Sequence, residues 1–169
     1  MAEADAGTVT AERPPDTLLT FALATFHVSL LGAVALVILH SSGSVGRLLV
    51  GLDTAAGLLL FLALWGITWW TTRWVLTHAP LAPDDPDGGV GRALLWGFLG
   101  GAVTGIGFLP VAFVLFFLTA FGLAVFANLA SFIFLLFGIP VAAIAGGLLG
   151  ATFGLLDALV YRAATAFVA

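Results

Sequence analysis

The sequence predicts an all-α integral membrane protein: a multi-pass helical bundle with five transmembrane helices, or four as the alternative. Hydrophobic residues make up 62% of the 169 residues and charged residues 8%, whereas a soluble domain is about 45–50% apolar and about 25% charged. Residues 93–156 are 64 consecutive positions without Asp, Glu, Lys, Arg or His. A run of 18 or more apolar residues already indicates a transmembrane helix, so this run is long enough for more than one crossing.

The chain begins with a polar, acidic segment, residues 1–16, which contains Pro14-Pro15 near its end. Its composition predicts a disordered tail, and its negative charge argues against a secretory signal, which begins with a positive region. Residues 17–39 follow without a full charge. At about 1.5 Å per residue they extend about 34 Å, enough for a first span. A single transmembrane domain is expected over 17–164.

The second span is predicted at about 48–74, after a short, turn-rich connection at 41–44 that favours an antiparallel hairpin. A loop with three prolines, residues 79–89, follows it. Aromatic residues beside arginines flank this loop, which is typical of the headgroup level of a membrane. The residues of this predicted aromatic belt are Trp65, Trp69, Trp70, Trp74 and Trp96, with Arg73 and Arg92.

Two prolines decide how the uncharged run is divided. Pro110 and Pro140 each suit the first turn of a new helix, where the missing N–H is harmless. Dividing the run there gives spans at about 92–109, 111–138 and 140–162. If only two helices formed from this run, each would be about 50 Å long, whereas the hydrocarbon core is about 30 Å thick. This difference favours three crossings within the run and five in total. Four spans would instead place four of the five arginines on one side, as the positive-inside rule expects, and would make Pro110 a kink.

Two series of glycines with a spacing of four residues predict close helix packing. Residues four apart drift only about 40° around a helix, so each series forms a smooth groove. In lipid such grooves allow two backbones to approach closely. The grooves are expected to pack on each other or on a second copy of the chain. The predicted packing residues are Gly97, Gly101, Gly105, Gly146, Gly150 and Gly154.

Three ionisable residues inside the predicted spans form the candidate site, because ionisable groups within a membrane are functional candidates by default. They are Asp53 in the second span, Asp157 in the last turns of the final span, and His27 midway along the first. With five spans, Asp53 and Asp157 share one half of the bilayer and can relay protons or hold a cation. With four spans they lie on opposite sides, and this relay or cation site fails. Taken singly, each has a structural alternative, for example a pairing of Asp157 with Arg162 or Tyr161.

The composition also argues against several kinds of site. The chain has no cysteine, which removes disulfides, Cys-ligated zinc, Fe–S clusters and thiol nucleophiles. The three histidines lack metal-ligand spacing, and no Walker loop, H-E-x-x-H or G-x-S-x-G motif occurs. We therefore expect no metal, no cofactor and no enzymatic activity. A net charge of −4 does not favour binding to the negatively charged phosphates of nucleic acid.

The five basic residues are all arginine, and this composition resembles that of proteins from salt-loving archaea. The expected protein is a small multi-pass protein of the cell membrane. Its expected partners are the lipid bilayer and either a second copy or another membrane protein, to which it contributes as a structural or accessory subunit. The alternative is a small transporter, or a proton or cation pathway, that uses Asp53 and Asp157 with His27 in support.

Overall fold

A computed structural model describes residues 17–44, 46, 54–78, 89–122 and 129–168. This part of the chain is all-helical, without strands, and contains four long helices, each apolar enough to cross a membrane. They are α1 (Thr17–Ser41), α2 (Thr54–His78), α3 (Gly89–Phe121) and α4 (Leu129–Val168). The predicted acidic tail, residues 1–16, lies outside the described residues, and so does Asp53.

The prediction of five spans is wrong, and the alternative of four fits. Pro110 lies inside α3 and Pro140 lies inside α4, so the spans predicted at 92–109, 111–138 and 140–162 are parts of two longer helices. In the hydrocarbon core no water is available to hydrogen-bond exposed backbone groups, so ending a helix there is costly. A proline inside a helix frees one carbonyl, and a helix in lipid tolerates it when neighbouring groups bond to that carbonyl.

The length of the uncharged run does not require three crossings, because helices need not be straight or perpendicular to the membrane. The 33 residues of α3 and the 40 residues of α4 correspond to about 50 Å and about 60 Å. Helices that are longer than the hydrocarbon core are accommodated by tilt, by a kink or by extension beyond the core.

Glycine, rather than proline, marks two of the helix ends. Gly43 follows α1 with φ of 67°, and Gly122 follows α3 with φ of 62°. Glycine adopts this left-handed conformation without strain and caps a helix C-terminus. At the end of α1 the Gly43 N–H donates to the His40 carbonyl over 3.0 Å. The chain therefore leaves the α3 helix at Gly122, well after Pro110.

Helices α3 and α4 are in backbone contact through the two glycine series. A Cβ atom added to Gly101 would overlap the Gly146 carbonyl oxygen and come within 2.8 Å of the Gly150 Cα atom. The same overlap occurs between Gly97 and the Gly150 carbonyl, and between Gly105 and the Ala142 carbonyl. The two predicted grooves therefore lie against each other within one chain.

Polar side chains join the other helices. The Thr71 hydroxyl of α2 lies 2.9 Å from the Thr104 hydroxyl of α3. The Trp65 indole of α2 donates to the Thr25 hydroxyl of α1 over 3.1 Å. Interhelical hydrogen bonds of this kind stabilise membrane bundles modestly, by about 0.6 kcal/mol on average. Trp65, predicted as part of an aromatic belt, is thus a contact between helices.

One end of the bundle collects the arginines of the described residues. Arg92 donates to the His78 carbonyl over 3.4 Å, which places the start of α3 beside the end of α2. The Arg162 guanidinium lies 3.8 Å from where a Cβ atom on Gly89 would be, which places α4 near the same end. The His78 ring contacts those of Trp74 and Trp96, with ring centres 5.2 and 5.5 Å away.

Four crossings place both ends of the helical domain on the same side of a membrane. Because the chain has no cysteine, single cysteines at Thr17 and Ala166 can be probed with a membrane-impermeant maleimide in oriented vesicles. We expect both to label from one side, and a cysteine at Ser42 to label from the other. Labelling of Thr17→Cys and Ala166→Cys from opposite sides would contradict a four-crossing topology.

The glycine contact predicts opposite effects for two Gly→Ala substitutions. Gly101→Ala should lower the free energy of unfolding in detergent by about 1–3 kcal/mol, because the added methyl overpacks the α3–α4 contact. Gly66→Ala in α2 meets nothing within 4 Å, so it should be neutral or stabilise by up to about 1 kcal/mol. Thermal unfolding of both variants measures the contrast, and equal shifts would contradict the contact.

Candidate functional site: a His–Asp pair on an interhelical cavity

Two of the three sequence-predicted site residues meet in the structure. His27 Nε2 of α1 lies 3.2 Å from Asp157 Oδ1 of α4, and the two side chains are 11% and 19% exposed. Histidine can donate to a carboxylate in its neutral or its protonated form. The pair joins the first and last helices of the bundle.

The direction of the His27 side chain follows from which face of α1 is buried against the other helices. Thr20, Ala24 and Val28 are the buried residues of α1, and their spacing of four marks one helical stripe. His27 comes seven residues after Thr20, which is about 20° short of two full turns. Its side chain therefore leaves α1 on the buried side, toward α4.

An aromatic ring of α4 fixes the orientation of the imidazole. Phe153 stacks on His27 with ring centres 4.6 Å apart and an interplanar angle of 15°. Phe153 precedes Asp157 by four residues, so both side chains project from the same face of α4. Stacking holds the face of the imidazole while Asp157 binds one of its nitrogens.

The His27–Asp157 pair lies on the wall of a cavity between the helices. The cavity has a volume of about 350 Å³ and is lined by residues from all four helices. Most of the lining is apolar, and the wall formed by α3 and α4 includes Gly97, Gly101 and Gly150. The close contact between α3 and α4 therefore forms part of the cavity wall.

Two threonine hydroxyls on the cavity wall, those of Thr71 and Thr104, are already bonded within the protein. Thr71 is 2% exposed and contacts the Ile67 carbonyl as well as Thr104. Thr104 in turn donates to the Gly100 carbonyl over 2.9 Å. The polar groups of the lining that remain for a ligand include His27 and Asp157, together with Thr68, Thr72 and the Trp96 indole.

The structure gives His27 and Asp157 a partner that differs from the structural alternatives considered for the sequence. Asp157 contacts His27, whereas the expected structural partners were Arg162 or Tyr161. The third predicted residue, Asp53, lies outside the described part of the chain. No group of three or more His, Cys, Asp or Glu side chains suited to a metal occurs among the described residues.

Sequence reasoning missed Phe153 and the threonine pair as parts of the site. The signal for Phe153 was its spacing of four from Asp157. The meeting of His27 with Asp157 was also accessible once four crossings are assumed, because the start of α1 and the end of α4 then lie on the same side and place the two residues at comparable depths. Interpreting Pro110 and Pro140 as helix starts favoured a fifth span, which would put the start of α1 and the end of the last helix on opposite sides.

Comparison with known proteins gives a family. Residues 16–169 match a family of unknown function, DUF7965. The chain belongs to this family. No curated protein matches the chain, and no solved structure matches it.

The pair predicts an energetic coupling between α1 and α4. In a double-mutant cycle with His27→Ala and Asp157→Ala, we expect the double variant to lose less stability than the sum of the single variants. The coupling should be about 0.5–2 kcal/mol, because either single change leaves an unpaired polar group in an apolar setting. Unfolding in detergent measures it.

Thr152 of α4 supplies the control for this cycle, because its exposed hydroxyl bonds to the Leu148 carbonyl of its own helix. His27→Ala combined with Thr152→Val should be additive. Additive behaviour of the His27 and Asp157 variants as well would contradict their contact.

Proposed function

We propose that this DUF7965 protein is an integral, multi-pass protein of the cell membrane that binds a small, mainly apolar molecule inside its bundle. The observation that carries the proposal is the cavity of about 350 Å³ with His27 and Asp157 on its wall. Binding sites for small molecules are mostly apolar pockets of about 300–1,000 Å³ with a few placed polar groups. The cavity fits this description in size and in lining.

The membrane setting of the proposal has its own support. All four long helices have the length and apolar composition of a span, and large apolar side chains such as Leu18, Val37 and Phe137 are exposed, which suits contact with lipid. The end that carries Arg73, Arg92 and Arg162 is the cytoplasmic end under the positive-inside rule. We propose that the helical domain begins and ends on the cytoplasmic side.

The glycine series support a scaffold within the chain better than an assembly between chains. Each glycine of the series faces backbone of the other helix, so neither groove is free for a second copy. A structural or accessory role would therefore use other faces, and any homo-oligomer or membrane partner would contact exposed apolar side chains. We propose the α3–α4 hairpin as the rigid wall of the binding cavity.

A binding role without catalysis is part of the proposal. The polar side chains of the lining are one imidazole, one carboxylate, one indole and threonine hydroxyls, and two of those hydroxyls bond to each other. An activated nucleophile needs a base within hydrogen-bonding reach. Among the described lining residues, His27 bonds to Asp157 and to no threonine hydroxyl.

The cavity is tested by photo-crosslinking in liposomes that contain a tetradecane derivative with a diazirine group. We expect saturable crosslinks to cavity-lining residues such as Leu109 and Phe153. Ala112→Phe, which fills the cavity, should abolish the saturable fraction, whereas Ala35→Phe on the exposed surface of α1 should retain it. Crosslinks that never saturate, or that Ala112→Phe leaves unchanged, would contradict the proposal.

A proton or cation pathway is the second candidate function, and the observation that favours it is the His27–Asp157 pair. Ionisable pairs inside a membrane often belong to proton relays. The other half of the described bundle is less suited to a pathway, because Phe113, Phe117 and Phe134 contact one another there. For this reason we rank the pathway below the binding role.

The pathway candidate predicts a flux that depends on Asp157. Liposomes with the wild-type protein and an internal pH dye should acidify after a pH jump, and Asp157→Asn should abolish this acidification. Thr152→Val is the control variant and should retain it. Wild-type liposomes that behave like empty ones would exclude the pathway.

A further inference from the structure

The four helices enclose the cavity with unequal packing. Helices α3 and α4 are in backbone contact through the glycine series, and α2 joins α3 through the Thr71 and Thr104 hydroxyls. Helix α1 packs along α2, where the Trp65 indole donates to Thr25. The remaining boundary lies between α1 and α4, and we call it the α1–α4 seam.

Side chains, rather than closely packed backbones, close the α1–α4 seam. The backbone of α1 scarcely approaches that of α4 among the described residues. The His27 side chain reaches across the seam, where Nε2 lies 3.2 Å from Asp157 Oδ1 and the ring stacks on Phe153. A boundary with few packed contacts opens at a lower cost in free energy than a well-packed one. The α1–α4 seam is therefore the boundary at which the bundle opens most readily.

The cavity lies directly behind this seam. Leu23 and Leu31 of α1 line it from one side, and Leu149 of α4 lines it from the other. Leu149 precedes Phe153 by four residues, so it projects from the face of α4 that meets His27. It is nevertheless 46% exposed, which shows that α1 does not cover it fully. A small separation of α1 from α4 would therefore connect the cavity to the surrounding lipid.

The part of α1 that follows the pair is not packed into the bundle. Residues 32–38 are all exposed, and seven consecutive residues make nearly two helical turns, so no face of this stretch is buried. The buried residues of α1, which are Thr20, Ala24 and Val28, all precede it. His27 thus contacts α4 at the end of the packed part of α1. Beyond this point α1 can tilt away from α4 without losing buried contacts.

An entrance that opens to lipid suits a mainly apolar ligand. Such a molecule is concentrated in the membrane, because its transfer to water costs about 25 cal/mol for each Å² of apolar surface. A lateral path through the α1–α4 seam avoids this cost, whereas entry from water does not.

We infer that the ligand enters the cavity from the lipid through the α1–α4 seam, and that the His27–Asp157 contact holds this entrance closed. Binding and release then require the contact between the two side chains to break. This inference rests on the proposed binding function and adds the route by which the site is filled.

The route is tested by joining α1 covalently to α4. His27→Cys and Asp157→Cys in a chain without native cysteine place two thiols where the wild-type side chains meet, and a short bifunctional methanethiosulfonate links them reversibly. If the link is made before the diazirine-bearing tetradecane is added, we expect saturable photo-crosslinks to fall to less than about a tenth of the unlinked level, because the site fills only through an open entrance. If the link is made after the probe has equilibrated, the photo-crosslinks should survive a chase with excess tetradecane, whereas the unlinked protein should lose them.

Two controls separate closure of the seam from other effects of the reagent. The same double variant treated with monofunctional methyl methanethiosulfonate carries the added groups without a link, so it should exchange the probe in both orders. A disulfide between Thr71→Cys and Thr104→Cys joins α2 to α3 where the hydroxyls lie 2.9 Å apart, and it should also permit exchange. Reduction of the α1–α4 link should restore exchange in the same sample.

A second measurement follows the seam without a link or a ligand. Spin labels at Ala35→Cys and Thr152→Cys, both exposed positions, report the distance between α1 and α4 by pulsed electron paramagnetic resonance. Asp157→Ala should broaden this distance distribution toward longer values, because the contact that holds the seam closed is lost. Labels at Leu99→Cys and Thr152→Cys report the distance between α3 and α4, which Asp157→Ala should leave unchanged.

The outcomes distinguish the inference from the proposed function. Saturable photo-crosslinks in the unlinked protein support the binding function, and equal exchange with and without the α1–α4 link would then overturn the route alone. Exchange blocked instead by the disulfide at positions 71 and 104 would also overturn it, as would an α1–α4 distance that Asp157→Ala leaves unchanged. If the wild-type protein gives no saturable photo-crosslinks, the binding function and the inference fail together. If only the double-cysteine variant fails to bind the probe when unlinked, the spin-label measurement decides.

Discussion

The backbone contact between α3 and α4 is the interaction on which the rest of the structure depends. In lipid, burial of apolar side chains gives helices little reason to associate, so association rests on close packing and on hydrogen bonds. The contacts of Gly97, Gly101 and Gly105 with α4 make a rigid pair of the two longest helices. Helix α2 then packs on α3, where the Val75 side chain lies against Gly100, and α1 packs on α2.

The cavity lies where the α3–α4 hairpin meets α1 and α2. Its wall on α3 and α4 combines glycines of the hairpin contact, such as Gly97 and Gly150, with larger side chains such as Phe108 and Leu149. Side chains from α1 and α2, including Leu31 and Leu64, reach the cavity without filling it. The close contact between α3 and α4 therefore forms one wall, and the side chains of the other two helices leave the space in front of it open.

The sequence was sufficient for the helical class, for the glycine positions and for His27 and Asp157 as ionisable residues inside apolar helices. It was not sufficient for the number of helices, because proline was read as a helix start. Pro110 and Pro140 are tolerated inside helices in lipid, and the end of α3 is set by Gly122 in a left-handed conformation. A positive φ depends on the chain geometry around it, so no glycine among 21 stands out by composition alone.

The remaining parts of the site depend on tertiary packing that no local pattern contains. Phe153 is one of 15 phenylalanines, and only its stacking on His27 distinguishes it. The pair itself is a costly way to join α1 to α4, since well-packed apolar residues often stabilise a buried contact as well or better. Trp65 with Thr25 already ties α1 to α2 without a titratable group. The stability that the pair adds therefore does not by itself explain why a carboxylate and an imidazole lie beside an apolar cavity.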